Sequence, residues 1–105
     1  MAAINLNKEQ FQQMAEGGKP ILVDFWAPWC GYCRRLGPAV EQLEQELAGR
    51  VTVAKLNVDD AQVLAQKYEV ETIPTLILFR DGKEVERKSG LQQKPALIKM
   101  IQEHQ

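Results

Sequence analysis

The run ILVDFW at positions 21–26 narrows the fold of this chain more than any other stretch. It is apolar except for Asp24, and it lacks the polar–apolar alternation of a strand with one wet face. Such a run suits a strand covered on both sides, as in sheets flanked by helices. Pro20 opens it. Beyond it, Leu36, Val40, Leu43 and Leu47 recur at helical spacing, with Glu41, Gln42, Glu44 and Gln45 between them. Gly49 is expected to end that helix, and Pro38 inside it to kink it. VTVAKLNV (51–58) predicts a second strand. Asn7 predicts a helix cap, followed by Gln10, Phe11 and Met14, with Gly17-Gly18 as the stop. Asp59 or Asp60 is expected to cap a short helix through Tyr68. PTLILF (74–79) and KEVERK (83–88) form two strands joined at Arg80-Asp81-Gly82, a hairpin signal. Pro95 starts a last helix carrying Leu97, Ile98 and Ile101, and Ala2–Asn5 suits an edge strand. This alternation argues for an α/β sheet with a βαβ unit first and an antiparallel hairpin last.

The chain has 105 residues, which suits one domain over 1–105 and is long enough to build a core without staples. A net charge of −1 lacks the footprint of a nucleic-acid binder. The apolar runs are too short to span a bilayer. MAAINLNKEQ has no basic segment leading into an apolar one, so nothing reads as a secretory leader, and the cytoplasm is the expected location. Thiols there stay mostly reduced. That bears on Cys30 and Cys33, the two cysteines of the chain, which sit three apart in FWAPWCGYCRR (25–35). They lie where the first long strand turns into the second helix, at the carboxyl edge where open α/β sheets collect their chemistry.

WCGYC after an apolar strand with a lone Asp, followed much later by Ile73-Pro74-Thr75, resembles the thioredoxin family. The resemblance covers essentially the whole chain and includes Lys55, the Asp81-Gly82 turn and Gly90. It implies a five-stranded mixed sheet with four flanking helices, and reversible disulfide exchange with other proteins. Two positions depart from the family pattern: Tyr32 stands where Pro is common, and Arg34 stands where Lys is common.

Helix geometry gives the two thiols different parts. Residues three apart on a helix have Cβ atoms about 5–6 Å apart, whereas a disulfide needs about 3.8 Å. The pair can close if Cys30 sits at the helix start, where the backbone is not yet fully helical. There, free N–H groups and the helix dipole favour an anion, and thiolate is the nucleophile. Cys33, one turn inside, is shielded, should keep a higher pKa, and is expected to resolve. Zinc would need about four ligands, and His104 is the lone histidine. No metal is therefore expected, and a static staple suits the compartment poorly.

Asp24 shares a strand face with Leu22 and Trp26, and a buried carboxyl has a raised pKa. The resemblance places such an Asp under the resolving cysteine, relaying its proton through water, which makes Asp24 the candidate base for Cys33. The plainer reading pairs Asp24 with Lys55 on the next strand; the two can coexist. The resemblance further implies a cis bond between Ile73 and Pro74, packed against the thiols, which leaves the Ile73 backbone to pair with an extended substrate segment. Pro74 would also deny metal access to the thiols. Trp29, Gly31, Tyr32, Ile73, Gly90 and Leu91 would then ring Cys30 as a docking patch, with Trp26 as core packing. The charges of Lys83–Lys88 and of the last helix read as solvated.

The resemblance implies a monomer that binds no cofactor, reduces disulfides in target proteins and is re-reduced by a flavin-dependent thioredoxin reductase drawing on NADPH. Three other readings stand beside it. A glutaredoxin would also carry Tyr beside its second cysteine, but Trp29, Gly31 and the N-terminal helix and strand argue against one. An oxidase or isomerase of an oxidising compartment would want a leader. A binding module with incidental cysteines would not need CxxC, Asp24 and Pro74 together.

Overall fold

A computed structural model describes residues 4–16 and 19–104. The elements run β1 (Ile4–Asn5), α1 (Lys8–Glu16), β2 (Ile21–Trp26), α2 (Gly31–Glu46), β3 (Thr52–Asn57), α3 (Gln62–Lys67), β4 (Thr75–Arg80), β5 (Lys83–Ser89) and α4 (Lys94–Glu103). Four full strands, β3-β2-β4-β5, carry the sheet, and the two-residue β1 adds to the free side of β3. β1 and β2 run parallel to β3, whereas β2–β4 and β4–β5 are antiparallel. The sheet is therefore mixed, as expected.

The central strand is sealed on both faces, which explains its unbroken apolar run. On one face Leu22, Val53, Leu76 and Leu78 pack with Leu36, Val40 and Leu43 of α2 and with Leu97, Met100 and Ile101 of α4. On the other, Ile21, Val23, Phe25, Leu56, Ile77 and Phe79 pack against Phe11 of α1 and Leu64 of α3. Phe11, Tyr68 and Phe79 meet edge to face there, with ring centroids 5.0–5.8 Å apart. Asp24 falls on the α2 side, since strand side chains alternate.

The local signals act as read in most places. Asn7 and Gln10 cap α1 reciprocally: the Gln10 N–H donates to Asn7 Oδ1 at 2.8 Å, and the Asn7 N–H donates to Gln10 Oε1 at 3.0 Å. Asp81 and Gly82 both have positive φ, 53° and 78°, which suits the tight turn between β4 and β5. Three boundaries differ. α2 stops at Glu46 with Leu47 as its cap, and Gly49, at φ 89°, lies in the turn beyond. α3 begins at Gln62 with Ala61 as its cap and no side-chain bond, so neither Asp59 nor Asp60 caps it; Asp59 instead accepts from Trp29 Nε1. The last helix starts at Lys94, with Pro95 inside its first turn. The Gly17-Gly18 stop and the Ala2–Ala3 part of the edge strand lie outside the described residues. Among the described residues, no helix is long and apolar enough to cross a membrane.

Candidate active site

β2 ends at Trp26, and a short loop, Ala27-Pro28-Trp29, leads to Cys30 as the N-cap of α2. Its extended backbone, φ −90° and ψ 115°, lets its sulfur do what a Ser or Asp oxygen does at a helix start: Sγ accepts the Cys33 N–H at 3.1 Å. A sulfur that accepts this bond is better bound as an anion than as a thiol. Cys33 lies one turn further and forms a small apolar cluster with Cys30 and Ala27, against Trp26, Val58 and Ile73. Both cysteines are free thiols. Both are also buried, at 7% and 4% exposure, so access alone does not separate them. What separates them is environment. Burial first, and then the hydrogen bond with Cys30 and the nearby Asp24 charge, hold the Cys33 thiol well above its ordinary pKa.

Asp24 is 1% exposed, and neither carboxylate oxygen has a hydrogen-bond partner. Desolvation pushes its pKa from 3.8 up to about 7, against a smaller opposing pull from Lys55. Lys55 stands directly across from Asp24 in the β2–β3 register. Its ammonium nevertheless sits over the Trp26 ring, 4.1 Å from the centroid. The pairing expected of Asp24 and Lys55 is thus a field effect and not a hydrogen-bonded bridge. Trp26 is half-buried core, as read, and its Nε1 is buried without a partner.

The Ile73–Pro74 bond is cis, and the Cys30 thiol faces the Ile73 carbonyl at 3.7 Å. The Pro74 carbonyl accepts the Gly90 N–H at 2.8 Å. Gly90 has φ 86°, a region other residues enter with strain. Gly31 has no such need, since a Cβ there would meet nothing closer than the Arg34 side chain at 3.9 Å. Trp29 and Tyr32 are the most exposed large hydrophobic side chains of this edge, at 67% and 59%, and Leu91 is also exposed. Arg35 lies over the Tyr32 ring at 5.6 Å.

Two contacts here have no counterpart in the sequence reading. Trp29 Nε1 donates to Asp59 Oδ2 at 2.9 Å, which ties the loop before Cys30 to the end of β3. Arg34 Nη1 donates to the Pro28 carbonyl at 2.9 Å. An Asp just past β3, a strand adjacent to β2 and ending at the same sheet edge, was the available signal for the first.

An α/β sheet with a dithiol at the N-terminus of a helix, a buried carboxyl and a cis-proline loop against one sulfur defines a class, the thiol–disulfide oxidoreductases. The thioredoxin family profile matches residues 2–103. The chain is 46% identical to the thioredoxin of Alicyclobacillus acidocaldarius subsp. acidocaldarius over 96 residues, 91% of each chain. It is 38% identical to that of Bacillus subtilis (strain 168) over 104 residues, 99% of each. A solved mutant thioredoxin from Halobacterium salinarum NRC-1 superposes with a TM-score of 0.89 at 37% identity, covering 97% of this chain and 89% of that one. The chain belongs to the thioredoxin family. It is a protein-disulfide oxidoreductase, with disulfide-containing proteins as targets and a thioredoxin reductase as partner.

Proposed function

We propose that Cys30 is the attacking thiol, Cys33 the resolving thiol and Asp24 the base that serves Cys33. The observation that carries this is the asymmetry of the pair: the Cys33 N–H supports the Cys30 sulfur, while burial and the Asp24 charge hold the Cys33 proton in place. The Cys30 thiolate attacks one sulfur of a target disulfide, and the other target sulfur leaves as a thiolate. Cys33 then gives its proton to the Asp24 carboxylate and attacks the Cys30 sulfur. The mixed disulfide breaks, the second target sulfur leaves, and the protein holds a Cys30–Cys33 disulfide. Target and protein have exchanged two electrons. An Asp24 carboxyl that titrates near 7 is matched to take up and give back a proton at neutral pH.

The Ile73 backbone, beside the Cys30 sulfur, is the edge on which an extended target segment pairs. Trp29, Tyr32, Gly31 and the Gly90–Leu91 segment give the surrounding docking face, and Pro74 keeps that edge in place and bars metal from the thiols. Trp26 and Lys55 support Asp24 from the sheet. The electrons return from NADPH through the flavin of the reductase, so this chain needs no cofactor of its own. A dithiol that works as a donor belongs in a reducing compartment, which makes the cytoplasm the implied location. One chain carries every residue named, and it acts as a monomer. Insulin reduction with NADPH and thioredoxin reductase, run beside glutathione with glutathione reductase, tests the reading. Turnover is expected with the first system. Turnover with glutathione alone would move the chain to a glutaredoxin role.

A further inference from the structure

β5 reads from its sequence as a solvated edge, yet it holds a planar clasp. Arg87 lies opposite Ile77 of β4, and its side chain and that of Glu84 are about one-third exposed, at 31% and 30%. Nε and Nη2 of Arg87 take one Glu84 oxygen each, both at 2.6 Å. This two-point contact fixes the plane of the guanidinium. The same group then reaches past β5: Nη2 donates to the Tyr68 carbonyl at 2.6 Å, and Nη1 meets the Glu69 carbonyl at 3.5 Å. Those carbonyls lie where α3 ends. Glu69 there has φ 53°, a left-handed backbone that a residue with a Cβ adopts only when its surroundings impose it.

The chain after Glu69 leads to the site. The Val70 N–H turns back to the Ala65 carbonyl at 2.8 Å, the Thr72 carbonyl accepts from Thr75 Oγ1 at 2.6 Å, and the Ile73 carbonyl faces the Cys30 thiol. The far end is held by the Gly90 N–H on the Pro74 carbonyl. Residues 68–74 are thus strung between two anchors on the β5 side, Arg87 in the middle of that strand and Gly90 just past its end. We propose that Arg87, held in plane by Glu84, is a positioning residue that sets the loop presenting the Ile73 backbone to target proteins. This rests on Ile73 being the target-pairing edge beside Cys30. An exposed ion pair by itself contributes little. Here the carboxylate orients a fork whose other edge holds carbonyls, and lysine cannot reproduce that fork.

The test compares Arg87→Ala, Arg87→Lys and Glu84→Gln with the parent in the full chain. Insulin reduction with NADPH and reductase reads target handling. Reduction of the small disulfide DTNB reads the thiols without the loop, and amide exchange at Val70 to Ile73 reads the loop itself. Arg87→Ala is expected to raise the KM for insulin about five-fold, the effect of losing one charge-assisted bond that fixes the loop. kcat should change by less than two-fold, DTNB should be reduced at the parent rate, and the loop amides should exchange faster. Arg87→Lys should behave like the Ala variant, and Glu84→Gln should shift KM in the same direction. Glu84→Gln carries the test alone if Arg87→Ala does not fold. An unchanged insulin KM, a parallel loss of DTNB reduction, or full rescue by lysine would each overturn the proposal. Insulin reduction surviving in Cys30→Ser would instead remove the site assignment beneath it, a result independent of Arg87.

Discussion

Asp24→Asn exchanges a carboxyl for a neutral group of the same shape. In the folded protein Asp24 titrates at about 7, against 3.8 when free, and the cause is burial with no hydrogen bond to either oxygen. A folded pKa above the unfolded one means that the unfolded state releases this proton first. Asp24 therefore leaves stability intact below about pH 4, removes it progressively as pH rises towards 7, and has its full effect above that. At about 1.4 kcal/mol per pH unit, the interval from 3.8 to about 7 makes about 4 kcal/mol. Denaturant titrations of parent and variant from pH 4 to 9 measure it. Their stabilities should nearly coincide at pH 4. The variant should gain steadily to an advantage of about 4 kcal/mol near pH 7 and hold it above. Subtraction cancels titrations that do not feel Asp24, such as that of Glu86. The variant should also release mixed disulfides more slowly, because Cys33 has lost its proton acceptor. Parallel stability curves across the whole range would refute the burial argument, and equal release rates would refute the role as base.

Two further outcomes follow from the helix that bears the thiols. Tyr32→Pro removes a backbone donor near the Cys30 sulfur and stiffens the turn the disulfide must close, so both effects favour the oxidised form. The parent potential should lie between about −270 mV, general for thioredoxin, and the roughly −200 to −230 mV of glutaredoxins, and the variant should fall by about 30 mV in a glutathione buffer; equal potentials would leave Tyr32 only a docking role. Leu36→Ala opens a cavity one turn below Cys33, at a residue 1% exposed between α2 and the sheet, and should lower unfolding free energy by about 2–5 kcal/mol in denaturant; a loss below about 1 kcal/mol would show that the core there collapses around the gap.

The elements were legible where one pattern decided them. ILVDFW announced a doubly covered strand, Leu36–Leu47 a one-sided helix, and Asp81-Gly82 a tight turn. The Cys30–Cys33 spacing placed the dithiol at the strand-to-helix junction, and Asp24 stood out because a carboxyl interrupted an otherwise apolar strand. The cis bond at Pro74 was available only through family resemblance. What stayed hidden depends on where side chains point between elements distant in sequence. Periodicity puts Lys55 beside Asp24, but the quadrupole of Trp26 draws the ammonium over the ring. Asp59 looked like a helix cap because capping is a local signal, while its actual partner, Trp29, lies thirty residues away. Arg87 looked solvated because KEVERK alternates no apolar face, and only the end of α3 against β5 gives its guanidinium carbonyls to hold.

The order of the two thiols is the centre of this account, and mixed-disulfide capture tests it most directly. Cys33→Ser and Cys30→Ser variants, reduced and then mixed with oxidised insulin or a cell extract, are quenched with acid and resolved on non-reducing gels. Cys33→Ser should hold target proteins as dithiothreitol-releasable adducts through Cys30, and Cys30→Ser should hold almost none. Equal capture by the two variants, or capture by Cys30→Ser alone, would contradict the assignment of Cys30 as the attacking sulfur.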